Sequence, residues 1–177
     1  DFAGLKDGET LILIGEPRGG LGASLYLREV LGREEGAPPP VDLALERRNG
    51  DFVRGLIKAG QLKVVHDLSD GGLAAAAVDV ALTSKLGLSL DNPTKVADHG
   101  FYFGEDQGRY LVVAQAAGVE ALLAAAKTAD VAAAVVGQAG GEALTLAGKD
   151  GVLLPRDVET LRPAHEAWLP RYMAELS

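Results

Sequence analysis

Segments that read as strands alternate with segments that read as helices, and a hairpin follows late in the chain. The sequence therefore predicts an α/β or α+β layered fold. Three stretches carry that expectation. Leu11-Ile12-Leu13-Ile14 is a continuous apolar run, the pattern of a strand covered on both faces. Val64 and Val65 close a second apolar run, after which a polar, glycine-bearing stretch leads into Leu73 to Leu82, built of strong helix formers. Ala143 to Ala147 and Val152 to Leu154 flank Gly148-Lys149-Asp150-Gly151, where Asp-Gly favours the tight turn of a hairpin. At 177 residues, 47% hydrophobic and 5% aromatic, the chain is about one domain long, with a core made mainly of Leu, Val and Ala.

In order, Leu5 to Glu9 reads as a turn and Thr10 to Glu16 as the first strand. The turn Pro17-Arg18-Gly19-Gly20 follows. Apolar spacing at Leu21, Leu25, Leu27, Val30 and Leu31 predicts a helix from Leu21 to Leu31, entered through Gly19, Gly20 and Gly22. Gly36, Pro38, Pro39 and Pro40 make Gly32 to Pro40 a loop. Asp42 is expected to cap a helix to about Ala59, which Asn49-Gly50 could kink or divide. Lys63 to His66 is the strand that delivers the polar turn. A helix from Gly71 to Lys85 comes next, then an alternating strand from Leu86 to Leu90 and a polar stretch from Asp91 to His99. Tyr110 to Ala114 reads as a strand, Gly118 to Ala129 as a helix with Val119, Leu122, Leu123 and Ala126 inward, and Val131 to Gly137 as a strand. Asp157 is expected to cap the last helix. Trp168 and Tyr172 lie four apart on one face of it and are expected to pack inward. Losing that helix should then cost several kcal/mol, since truncating a buried Trp alone costs about 3–5 kcal/mol.

Acidic residues outnumber basic ones 25 to 17, a net charge of −8, which argues against a nucleic-acid-binding surface. Cysteine is absent, so thiol catalysis and a disulfide scaffold are excluded and a reducing cytoplasm fits. No apolar run approaches the roughly 20 residues of a membrane span, and no basic-then-apolar leader opens the chain. The first residue is Asp1 rather than Met, so the chain reads as a domain cut from a longer polypeptide.

Two stretches offer chemistry. In His66-Asp67-Leu68-Ser69-Asp70-Gly71-Gly72, Asp70 is placed to cap the following helix, and the glycine pair lets backbone or ligand come close. A helix N-terminus there presents free N–H groups to an anion, and nearby carboxylates could hold a metal that bridges to phosphate. The plainer alternative is a cap and a strand-end histidine with a local partner. In Gly104-Glu105-Asp106-Gln107-Gly108-Arg109, carboxylate, amide and guanidinium come together, a set able to bind a sugar-phosphate or nucleotide; its alternative is a solvated turn. The Gly19-Gly20 turn could also cradle a phosphate, although it lacks the Lys and Ser/Thr of a P-loop.

His-Asp-Leu-Ser-Asp-Gly-Gly-Leu before an alanine-rich helix, followed about 35 residues later by Gly-Glu-Asp-Gln-Gly-Arg-Tyr-Leu-Val, resembles the C-terminal domain of the phosphoribosylformylglycinamidine synthase II family. The strand ending in Gly15-Glu16, the Gly22-Ala23-Ser24 helix start, the proline-rich loop and the Trp-containing last helix fit the same resemblance. That domain type is shared with aminoimidazole ribonucleotide synthetase and related kinases and synthetases. The resemblance covers essentially the whole chain, 1–177, and implies a single C-terminal domain: a mixed sheet with helices packed on it. It also implies an ATP- and magnesium-dependent ligase that makes formylglycinamidine ribonucleotide from formylglycinamide ribonucleotide and glutamine-derived ammonia. Its partners would be upstream ATP-binding domains of the same enzyme, a glutaminase and a small accessory subunit, with no nucleic acid or membrane. No cofactor is assigned to the fragment alone.

By the same resemblance the substrate- or nucleotide-binding set is Gly19, Gly20, Ser24, His66, Ser69, Asp70, Gly71, Gly72, Glu105, Asp106, Gln107 and Arg109, with Asp67 as a magnesium ligand by positional analogy. None is catalytic, because this chain resembles the second, non-principal half of the synthase. In the first half the loop is Glu-Ser-Gln-like, and here Asp106 stands for the small hydroxyl residue. A further synthetase or kinase of the superfamily, or a structural domain that holds a nucleotide, is the alternative. The two polar stretches adjoin opposite ends of their strands, so they can share one pocket only if those strands run antiparallel. Carboxylates gathered there would need Arg109 or a magnesium ion among them.

Overall fold

Side chains alternate across a strand, so the apolar run after Glu9 must bury both of its faces. It does. The computed structural model describes residues 2–62, 64–149 and 151–175, the side chains of Leu153 and Leu154 excepted. In it, β1 (Thr10–Ile14) is buried along its whole length. Leu11 and Leu13 join one core and Ile12 and Ile14 the other.

The remaining strands are β2 (Val64–Asp67), β3 (Leu88–Asp91), β4 (Tyr110–Ala114), β5 (Ala133–Ala139), β6 (Ala143–Gly148) and β7 (Gly151–Asp157). They form one sheet in the order β2-β4-β1-β5-β3-β6-β7. Neighbours are antiparallel except β3 and β6, which are parallel, so the sheet is mixed as expected. The late hairpin is β6–β7; Asp150 of its turn and Lys63 before β2 lie outside the described residues.

Helices α1 (Leu43–Lys58) and α4 (Ala116–Thr128) cover one face. Val53, Leu56, Leu122 and Ala126 pack there against Ile12, Ile14 and Val112. The other face carries α2 (Gly72–Ser84), α3 (Asp98–Phe103) and α5 (Val158–Glu166), through Leu73, Ala77, Val80, Phe101, Tyr102 and Val158. Asp42 caps α1 as expected, its carboxylate accepting from the N–H groups of Ala44 and Leu45 at 3.0 Å. Asn49-Gly50 does not break that helix, because Asn49 is buried and held from outside.

Four expectations fail. The segment from Leu21 to Leu31 is not an α-helix: it has one wide turn at Tyr26–Val30, and Val30 and Leu31 face solvent. Gly22 packs so closely on the proline-rich loop that a Cβ there would lie 2.0 Å from the Ala37 carbonyl, and the Leu25 N–H goes to a distant carboxylate. The stretch from Asp91 to His99, read as polar, runs into α3, which buries Phe101 and Tyr102. The C-terminal helix is two helices, α5 and α6 (Trp168–Glu175), separated at Ala167. Pro170 has no N–H to continue the ladder and is tolerated where it stands, in the first turn of α6. Trp168 and Tyr172 do not pack inward; they are 64% and 47% exposed and stack on each other with ring centroids 5.2 Å apart.

Candidate functional site

The strands β2 and β4 pair antiparallel, with Asp67 opposite Tyr110, and the Leu68 N–H donates to the Arg109 carbonyl at 2.9 Å. The turn after β2 and the loop before β4 therefore meet at one end of the sheet. They meet closely: a Cβ on Gly72 would lie 2.4 Å from the Gly104 carbonyl. No side chain caps α2, and the residue before it is held instead by Glu105. Its Oε1 accepts the Gly71 N–H and the Leu25 N–H, each at 2.9 Å. Gly71, at φ +76°, is the residue before the first turn of α2, so Asp70 stands one position too early and remains exposed without a capping bond.

Asp106 reaches the other way, to the glycine-rich turn after β1. Its Oδ2 accepts the N–H groups of Arg18 at 2.8 Å and Gly19 at 2.9 Å, and its Oδ1 that of Gly20 at 3.0 Å. Successive backbone N–H groups arranged like this form an anion-binding concavity. The N–H groups of the Gly19-Gly20 turn are thus occupied by a carboxylate of the same chain.

Arg109 is not the phosphate clamp the sequence suggests. It is 1% exposed, with Nε donating to the Asp106 carbonyl at 3.1 Å and Nη2 to the Gly104 carbonyl at 2.5 Å. Burial pushes its guanidinium below the ordinary arginine range, while the charge of Asp106 opposes that shift. It acts as a strut inside the loop. From α1, Asn49 adds a second brace, its Nδ2 donating to the Gly108 carbonyl at 2.9 Å.

The other expected residues divide between the interior and the surface. Ser24 is buried; its hydroxyl donates to the Leu21 carbonyl at 2.6 Å and accepts from the Leu27 N–H at 3.3 Å. His66 faces α2, with Nε2 3.3 Å from Asp79 and its ring stacked on Phe2 at 5.4 Å. That is the local partner of the plainer reading. Asp67, Ser69, Asp70 and Gln107 are exposed.

Among the described residues no group of three or more His, Asp or Glu could hold a metal ion. The donor set present does not fit a self-contained magnesium site, and Asp67 offers a single carboxylate. A cleft of about 240 Å³ opens beside Asp106 and Gln107, between Arg18 and the start of α1. A larger one, about 460 Å³, lies away from these loops, between α4 and the β2–β4 edge.

Sequence reasoning missed the partners that give the site its shape: the amides of Arg18 and Leu25, and Asn49. An amide donor leaves no mark in residue type, and Asn49-Gly50 reads locally as a breaker. A signal did exist in Asn49, a polar residue on the inward stripe of an amphipathic helix.

Residues 6–148 match the family described as AIR synthase related protein, C-terminal domain. The phosphoribosylformylglycinamidine synthase subunit PurL of Caulobacter vibrioides is 57% identical over 173 residues, 98% of this chain and 23% of that protein. The corresponding subunit of Methylocella silvestris is 51% identical over 169 residues, 96% of this chain and 22% of that protein. This chain thus spans less than a quarter of the length of those relatives. The structure of Thermotoga maritima PurL complexed with FGAR superposes with a TM-score of 0.74 over 88% of this chain and 28% of that one, at 18% identity.

Proposed function

Since the chain belongs to the AIR synthase related C-terminal domain family, we propose that it is a C-terminal domain of a phosphoribosylformylglycinamidine synthase subunit II, acting as a structural, non-catalytic element of that enzyme. The observation that carries this reading is the 57% identity to the Caulobacter vibrioides subunit across nearly the whole chain. The full enzyme would make formylglycinamidine ribonucleotide, ADP and phosphate from formylglycinamide ribonucleotide, ATP and glutamine-derived ammonia, in the cytoplasm. Its partners would be the upstream ATP-binding domains, a glutaminase and a small accessory subunit. ATP and magnesium would be held mainly outside this chain. Asp67, exposed where β2 ends, offers one carboxylate toward such an ion.

The use made of the polar loop supports the structural role. Two carboxylates and one guanidinium, the groups best suited to bind substrate, are spent on backbone groups of their own domain. What remains for ligand at this edge is Asp67, Ser69, Asp70 and Gln107, polar but with no buried base or nucleophile.

The test is a domain exchange. This chain replaces the matching segment of the Caulobacter vibrioides subunit, and the chimera is assayed for amidine formation and for growth of a synthase-deficient strain without purines. Activity within about tenfold of the parent is expected. A soluble, folded chimera without activity would overturn the reading, as would amidine formation by the isolated 177-residue chain.

A further inference from the structure

The last helix is amphipathic in a way that the domain itself does not use. At 3.6 residues per turn, Trp168, Leu169, Tyr172 and Met173 of α6 fall on one stripe, with Arg171 and Ala174 on the other side. The four apolar side chains are open, from 47% for Tyr172 to 64% for Trp168, and no described residue of α6 is buried. The element it packs against is α5. A helix of eight residues has little stability of its own in water, so an apolar stripe on it calls for a surface that this domain does not supply. We propose that α6 is a docking helix, and that its occupant is an apolar groove on the remainder of the same synthase subunit. The proposal deepens the synthase reading and rests on it.

Two observations choose that occupant. The first is the reach of the similarity. The match to the AIR synthase related domain ends at residue 148, before α5 and α6. The match to the Caulobacter vibrioides subunit covers 173 of the 177 residues and so runs into α6. The helix therefore goes with the long subunit rather than with the domain type. The matched segment is 23% of that subunit, so most of a long polypeptide is there to supply a groove. The second observation is area. Two aromatic and two aliphatic side chains, each half to two-thirds open, present on the order of 400 Å² of apolar surface, a size that marks an interaction site. Paired with a second copy of itself, the stripe would bury on the order of 800 Å² in all, short of the roughly 1,200 Å² at which specific interfaces between separate chains begin. A groove on the same polypeptide needs less, because the covalent link holds it at high effective concentration. That groove is uncharged and wide enough for the stacked Trp168–Tyr172 pair, whose centroids lie 5.2 Å apart. Arg171, the cation of α6, turns back to donate to the Ala167 carbonyl at 3.2 Å and leaves the stripe without positive charge.

The test is hydrogen exchange over residues 168–175, in the isolated chain and in the chimera that carries it within the Caulobacter vibrioides subunit. In the isolated chain, α6 should exchange within about tenfold of an unstructured peptide at every protein concentration. In the chimera it should exchange at least about tenfold more slowly than in the isolated chain. The double substitution Trp168→Ser with Tyr172→Ser should abolish that protection while α5 and β6 keep theirs. Equal exchange of α6 in the isolated chain and the folded chimera would overturn the proposal. So would protection in the isolated chain that grows with concentration and is lost in the double variant, which would make the occupant a second copy. If the chimera does not fold, the unaltered Caulobacter vibrioides subunit is measured over the segment aligned with α6. Protection there supports the docking helix, and exchange as fast as in an unstructured peptide overturns it. Amidine formation is assayed alongside, so the two readings can fail separately. An active chimera with unprotected α6 sinks the docking helix alone; an inactive one with protected α6 sinks the synthase reading and leaves the contact standing.

Discussion

Glu105 accepts the backbone N–H of Gly71 at 2.9 Å across 34 positions of sequence, anchoring the residue that precedes α2 from the neighbouring loop. The same oxygen holds Leu25, so one carboxylate secures both the start of α2 and the wide turn at Tyr26–Val30. Removing it leaves two part-buried donors without their acceptor. Glu105→Ala should therefore lower unfolding free energy by about 2–3 kcal/mol. Asp70→Ala, at the position the sequence marks as the cap, should change it by less than about 0.5 kcal/mol. Urea denaturation of both variants decides; equal effects would show that the anchor lies elsewhere.

Arg109 holds the loop from inside, so its loss should be felt as disorder of residues 104–109 rather than as lost ligand affinity. Arg109→Met keeps much of the volume but orphans the carbonyls of Asp106 and Gly104. The expected cost is about 2–4 kcal/mol, from two charge-assisted hydrogen bonds partly offset by relief from burying a cation. Faster hydrogen exchange at Gly19, Gly20 and Gly71 should accompany it, because the carboxylates that hold those amides sit on the same loop. Unchanged exchange there would count against the strut role.

What the sequence discloses depends on range. Both faces of β1 are readable from four consecutive apolar residues, and the site loops from their own polar composition, because each signal is local. The family was also readable, from two motifs in the right order. The Leu21–Leu31 helix was misread because spacing predicts helix only where a surface covers the apolar stripe, and none covers Val30 or Leu31. Six-residue α3 is too short to show a period, and Gly100 within it reads as a breaker although the helix packs there on Gly19. The roles of Glu105 and Asp106 were hidden for a different reason. Their partners are amides 34 to 88 positions away, and only the antiparallel pairing of β2 with β4 and β4 with β1 brings them together.

Tyr102 ties stability to alkaline pH. It is fully buried, and its hydroxyl lies between the carbonyls of Leu90 at 3.0 Å and Ala147 at 2.5 Å, bridging β3 and β6. Burial pushes its phenol above the ordinary tyrosine value, with Asp91 and Asp98 adding to the shift. Below about pH 10, the unfolded value, both states keep the proton and the full contribution is present. As pH rises further the unfolded chain ionises first, so stability falls until the folded phenol titrates. Tyr102→Phe should cost about 1–2 kcal/mol at neutral pH and make the decline above pH 10 shallower by up to about 1.4 kcal/mol per pH unit. Tyr110, also raised by burial, titrates in both proteins, so the difference between their pH profiles reports on Tyr102 alone.

Trp168 and Tyr172 stack on one another in solvent, which reverses the expected energetics of the C-terminus. In α6 no described residue is buried, whereas α5 buries Val158 in the core and donates from Arg162 Nη2 to the Leu82 carbonyl at 2.8 Å. The anchor of this end of the chain is therefore α5. A chain ending at Ala167 should melt within about 2 °C of the full chain, because an exposed aromatic pair contributes about 1 kcal/mol at most. Val158→Ala should cost about 1–3 kcal/mol by leaving a cavity beneath α5. Acrylamide should quench Trp168 nearly as well as it quenches free tryptophan. A truncated chain that loses several kcal/mol, or a tryptophan protected from the quencher, would mean that α6 packs on the domain after all.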